Sequence, residues 1–162
     1  MVKRALRHLF TPHWLALRAF PSPALKAIER AIKASERLHR GEIRFALEGP
    51  LHIGSLRLSP RQRAHVVFAQ LAVWDTMENT GVLIYVQLVD RRIEIVADRG
   101  IAARVPQADW DAICRAMERA FKAGQYREGA LGAIDAVTRI LAREFPARGA
   151  NENELPDKPA VL

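Results

Sequence analysis

Asp75, Glu78, Asn79 and Asp98 are the side chains of this sequence best suited to chemistry. Carboxylate and amide oxygens are hard donors. Gathered in one place, they would suit calcium or magnesium (Ca2+ or Mg2+). A divalent ion held there could grip a phosphate ester and activate a water molecule. In this reading Asp75, Glu78 and Asp98 are the metal ligands, and Asn79 and Arg99 touch the bound ligand. The competing explanation is structural: acids at loop ends are usually solvated, and Arg99 or Arg104 could pair with one of them.

No other catalytic set emerges. The sequence has no glycine-rich phosphate loop with its lysine and no G-x-S-x-G serine. Its histidines, at positions 8, 13, 39, 52 and 65, contain no pair at helical ligand spacing. The single cysteine, Cys114, rules out an internal disulfide and falls on the apolar face of an expected helix, so it reads as core.

Two strands must bring the acids together. VLIYVQLV ends at a polar turn, Asp90-Arg91, and RIEIVA follows, ending in Asp98-Arg99-Gly100. As an antiparallel hairpin, these runs place the start of the first beside the end of the second. Asp75, Glu78 and Asn79 then meet Asp98 at one rim, and Asp90 occupies the other. The first run is apolar on both faces and reads as a covered central strand.

The remaining elements follow from periodicity. A helix is expected over 24–39 and a strand over 42–48, with Ile43, Phe45 and Leu47 inward and its charges outward. Ser59-Pro60 opens a helix to about Trp74, with Asp75 and Glu78 at its end. Two further helices begin after Pro106 and at Tyr126. Glu94 pairs with Arg44 if their strands are neighbours. This order of elements buries best as a three-layer α/β/α sandwich around a small mixed β-sheet.

Charge divides the chain. Residues 1–40 hold nine basic residues against two acids, and residues 41–162 hold sixteen of each, so the whole net charge of +7 lies in the first quarter. That distribution argues against an evenly basic nucleic-acid surface. It defines three regions: a basic amphipathic helical leader (1–23), the α/β/α domain (24–146) and a flexible C-terminal tail (147–162). The leader, broken at Thr11-Pro12, either packs on the domain or lies on an anionic membrane surface through residues 1–20. Trp14 within it is a candidate anchor.

Gly41-Glu42-Ile43, Asn79-Thr80-Gly81-Val82-Leu83-Ile84, Asp90-Arg91-Arg92-Ile93-Glu94-Ile95 and Asp98-Arg99-Gly100-Ile101 follow one another at characteristic spacing. Trp110, Phe121, Gly124-Gln125-Tyr126, Gly129 and Gly132 complete the series. In this order they resemble the TPM domain family over about residues 24–145. The resemblance implies an α/β/α fold, metal binding at acidic loops in some members, and phosphatase activity in some plant relatives. It also implies a protein partner, a LemA-like membrane protein among the candidates. The leading expectation is a non-enzymatic binding or assembly domain acting with a membrane-associated protein. The alternative is a divalent-metal-dependent phosphatase hydrolysing phosphate monoesters, and a homodimer is a third arrangement. With no long apolar run at the N-terminus, the expected location is the cytoplasm, with peripheral attachment at the inner membrane.

Overall fold

The computed structural model describes residues 2–149 and 152–162. Residue 1 of the expected leader and residues 150 and 151 of the expected tail lie outside the described residues. Helices α1 (Val2–Phe10), α2 (His13–Leu17) and α3 (Ser22–Ser35) lead into strand β1 (Glu42–Glu48). A 3-10 turn (Ile53–Arg57) precedes α4 (Pro60–Gln70), then β2 (Gly81–Gln87) and β3 (Arg92–Ala97). Helices α5 (Arg99–Ala102), α6 (Gln107–Lys122) and α7 (Tyr126–Glu144) follow, and β4 (Ala160–Val161) ends the chain.

The sheet order is β3-β2-β1-β4. β2 runs antiparallel to β3, pairing Val82 with Ala97, and parallel to β1, pairing Ile43 with Val82. The sheet is therefore mixed, with helices on both faces. One face carries Phe45, Ile84 and Ile95 beneath α3, α6 and α7, which contribute Ile32, Met117 and Val137. The other carries Ala46, Leu83, Tyr85 and Val96 beneath α4 and the C-terminal segment, which contribute Val67 and Leu155.

Three expectations need correction. β1 has no wet face: Glu42, Arg44 and Glu48 are buried along with its apolar residues. The tail covers Glu42 and Arg44, and Arg63 of α4 covers Glu48. The tail lays Leu155 into the core and adds β4 parallel to β1, pairing Ala46 with Ala160. The described part of the tail is thus a strap tied into the sheet. The second correction follows from strand order. β1 and β3 are separated by β2, so Arg44 donates to the carbonyls of Pro156 and Lys158 on the strap (2.8 Å to the latter). Glu94 instead faces Arg61 at 3.6 Å. The third concerns α4, which stops at Gln70 and not near Trp74. Ala72 takes a left-handed conformation (φ 51°), and the chain turns so that the Val73 carbonyl rests against Gly81. A Cβ at Gly81 would lie 1.9 Å from that oxygen, so only glycine fits the start of β2.

The strap crosses a group of buried ionisable residues. Leu155 N–H donates to Glu42, and Met77 N–H donates to Glu154 (2.8 Å). Burial raises the Glu42 carboxyl to about 7. Burial, with the neighbouring charges of Glu42 and Asp157, raises Glu36 to about 8. His39, buried and without a side-chain partner, is lowered to about 4 by desolvation. The two acids are harder to ionise in the folded chain than in the unfolded one. Their stabilising share is complete below about 4.5 and is lost as pH rises through about 7 to 8. His39 acts in the opposite sense, costing stability as pH falls from 6.5 toward about 4. E42Q keeps the acceptor for Leu155 and removes the ionisation. Denaturant midpoints measured between pH 4.5 and about 8 should fall less with rising pH in E42Q than in the wild type. Parallel curves would show that Glu42 does not set the alkaline limb.

Candidate functional site

The hairpin has two charged ends. At the rim formed by the start of β2 and the end of β3, Asp98 caps α5 by accepting from Arg99 N–H (2.7 Å). Arg99 Nε donates to Asn79 Oδ1 (3.0 Å), and Gly100 N–H donates to the Asn79 carbonyl (3.1 Å). A Cβ on Gly100 would lie 2.6 Å from the carbonyl oxygens of both Glu78 and Asn79. The two loops are thus pressed together backbone to backbone, and Asn79 accommodates the contact in a left-handed conformation (φ 54°). The structure joins Asn79, Arg99 and Asp98, as well as the backbone of Glu78, at one rim.

The acidic side chains are otherwise engaged. Glu78 turns to Arg40, which holds both of its carboxylate oxygens. Asp75 lies on the loop after α4 and is exposed, because that helix ends five residues earlier than it. Asp98 spends one oxygen on its cap, and its Oδ2 is buried without a partner. One orphan oxygen is a poor match for a divalent ion, which takes six or more oxygens as calcium or an octahedral set as magnesium. Among the described residues no three His, Cys, Asp or Glu side chains are grouped so as to hold a metal ion. Asp75, Glu78 and Asp98 form no ligand set among the described residues, so the residues present do not fit the implied metal.

At the other end Asp90 is the anchor of the N-terminal arm. Its side chain is only 7% exposed and meets two arginines and a histidine. Arg4 Nε donates to it at 2.8 Å, Arg7 donates at 3.3 Å, and His8 Nε2 lies 3.2 Å away. The Asp90 N–H donates to Gln87 Oε1, which fixes the turn. His8 is buried, and its Nδ1 accepts from Leu51 N–H (2.8 Å), while Arg4 also donates to the carbonyls of Leu56 and Leu58. An i, i+3, i+4 pattern puts Arg4, Arg7 and His8 on one side of α1. The opposite side is left to solvent: Leu9 is 70% exposed, Phe10 74% and, on α2, Trp14 65%.

A third group lies inside the sheet, unanticipated from the alternation of β1. Arg63 on α4 donates from Nε and Nη2 to Glu48, which also accepts from the Tyr85 hydroxyl at 2.5 Å. Burial and the Glu48 charge raise the Tyr85 phenol, and the same carboxylate raises the Arg63 guanidinium. Both Glu48 oxygens have charge-assisted partners, as a buried carboxylate requires. Its strand position spoke for an exposed Glu48. Only the placement of α4 on this face of the sheet, from which Arg63 reaches Glu48, reveals the pairing.

Two substitutions test the ends separately. G100A should cost about 1–3 kcal/mol, because rigid carbonyls oppose its Cβ. Unchanged thermal unfolding would mean that the rim loops separate readily. D90A should release the arm, at a cost of about 2 kcal/mol, and make residues 2–20 protease-sensitive while the remainder resists. Equal digestion of wild type and D90A would show that Asp90 does not hold the arm.

Comparison with known proteins agrees with this architecture. The chain matches the TPM domain family over residues 19–140. It is similar to the BA42 protein of the psychrophilic bacterium Bizionia argentinensis, solved by NMR: 32% identity, TM-score 0.77, covering 88% of this chain and 95% of that one. It shares its fold with the N-terminal domain of a protein from P. gingivalis, at 22% identity and TM-score 0.62, covering 82% and 85% of the two chains. The search of curated proteins finds no match. With its family signature spanning most of the folded residues, the chain belongs to the TPM domain family.

Proposed function

We propose that this chain is a non-enzymatic TPM-type binding domain whose N-terminal arm docks on an anionic membrane surface and there meets a membrane-associated protein. One observation carries the reading. The arm is pinned inward through Arg4 and Arg7 to Asp90 and through His8 to the Leu51 N–H, while Leu6, Leu9, Phe10, Trp14 and Leu15 remain exposed. Exposed Lys3, Arg7 and Arg18 border that patch. Exposed apolar side chains accompanied by basic residues fit the boundary between acyl chains and acidic headgroups. Each basic residue near such a surface adds about 1 kcal/mol of attraction. No described helix is long and apolar enough to cross a membrane, so the proposed attachment is peripheral. The arm is short, which makes the attachment reversible.

Hydrolysis of phosphate monoesters draws no support from the rim, where Glu78 is held by Arg40 and Asp98 caps a helix.

Vesicle flotation tests the proposal. The wild type should float with vesicles rich in anionic lipid and much less with neutral ones, and added salt should weaken the association. F10E/W14E alters only exposed positions and should remain in the soluble fraction. Failure of the wild type to float with anionic vesicles would overturn the membrane reading. Capture only by membranes that retain their proteins would point to a LemA-like partner as the contact. A solution mass of twice 18.2 kDa would place a second copy over the patch.

A further inference from the structure

We propose that a cavity beneath α2 binds a single-chain anionic amphiphile of the fatty-acid class. The cavity, of about 660 Å³, lies between α2, the turn end of the β2–β3 hairpin and the corner joining α6 to α7. Its size falls within the range of about 300–1,000 Å³ typical of small-molecule sites. It shares only Leu15 and Arg18 with the exposed face of the arm and goes beyond the membrane reading.

The lining is two-sided in character. Buried Val86 and Ile93 supply its sheet wall. Phe121 and Tyr126, whose rings pack 5.1 Å apart, supply the helical wall. Leu15 and Ala16 close it from α2. Such a surface takes hydrocarbon. Gln87, the polar residue of the sheet wall, is already satisfied: its amide donates to the Gly49 carbonyl and its oxygen accepts from Asp90 N–H. It makes no demand on a ligand.

The charges at the cavity are of one prevailing sign. Arg18, Arg91 and Lys122 line it against a single acid, Glu118. Among the described residues none of these three cations is engaged in an ion pair. All three are exposed, which places them where the cavity meets solvent. An apolar chain ending in a carboxylate satisfies both features: the chain covers the aromatic and aliphatic walls, and the carboxylate meets the cations. A neutral alcohol of the same length would satisfy only the first.

α2 provides a route of entry. This five-residue helix buries no side chain and has no side-chain cap. Pro12 lies before it and Pro21 after it. A segment with so few buried contacts opens at low free-energy cost. Lifting α2 about Pro12, with Phe20 still seated among Phe45, Phe121 and Tyr126, uncovers the cavity without disturbing the sheet.

Calorimetric titration with dodecanoate, kept below its micelle-forming concentration and without vesicles, tests the assignment. The wild type should bind dodecanoate saturably and dodecanol at least about tenfold more weakly. R91E/K122E changes two exposed positions and should weaken dodecanoate by a similar factor, leaving dodecanol unaffected. A16W should fill the cavity and abolish binding of both, with flotation on anionic vesicles retained. No saturable heat from dodecanoate would overturn the inference, as would equal binding of the alcohol or an unchanged affinity in R91E/K122E. These outcomes are independent of flotation. Loss of flotation in F10E/W14E with dodecanoate binding intact would separate the two sites.

Discussion

Strand β2 has no solvent-facing side, and the architecture depends on this. All seven of its residues, Gly81–Gln87, are buried. A strand apolar on both faces must be central and must be covered twice, because its backbone is satisfied only by neighbours and its side chains only by layers above and below. β1 and β3 supply the neighbours. The layers come from α3, α6 and α7 on one face and from α4 with the C-terminal strap on the other. Two close backbone approaches make the fit exact at its start, at Gly81 against Val73 and at Gly100 against Glu78 and Asn79.

Burying the middle of the hairpin leaves its ends to carry charge. The rim at Asp98 is closed by local pairing: a helix cap, an arginine–amide bond and the Arg40–Glu78 pair. The turn at Asp90 is closed from a distance, by a helix more than eighty residues earlier in sequence. The difference matters for function. At the first rim Arg40 engages Glu78 and Asp98 is spent on a helix cap. The distant pairing fastens an amphipathic arm and leaves its apolar side outward. One buried carboxylate thereby sets the orientation of the surface proposed for docking, and the same arm roofs the cavity proposed for an anionic amphiphile.

Charge inside the sheet is managed in two ways. Glu48 is compensated by Arg63 and Tyr85, which ties α4 to the end of β1. Glu36 and Glu42 lack an equivalent cation, so burial raises them into the physiological range beneath the strap. A compensated acid stabilises the fold at neutral pH. An uncompensated one makes part of it sensitive to pH.

Much of the fold was legible in the residues. Alternation and apolar runs marked β1, β2 and β3, helical spacing marked α3, α6 and α7, and Ser59-Pro60 marked the start of α4. The TPM signature and the mixed α/β/α sandwich followed from their order. Such local signals survive because period-2 and period-3.6 burial leave their imprint on a single segment. Three features were not legible. An alternating β1 concealed Glu42, Arg44 and Glu48 because the cover over that face comes from α4 and residues 152–162, distant in sequence. The polar composition of the C-terminal segment spoke for fraying, yet Leu155 and two residues of strand pairing tie it down. Sequence order led to Asp75, Glu78 and Asp98 as one acidic group, but the way the Glu78 and Asp98 carboxylates turn depends on Arg40 and on the start of α5. Sequence by itself determined the elements, their faces and the family, since these rest on local periodicity. Tertiary structure alone decided which charges meet, because ion pairing depends on the approach of remote segments within a few ångströms.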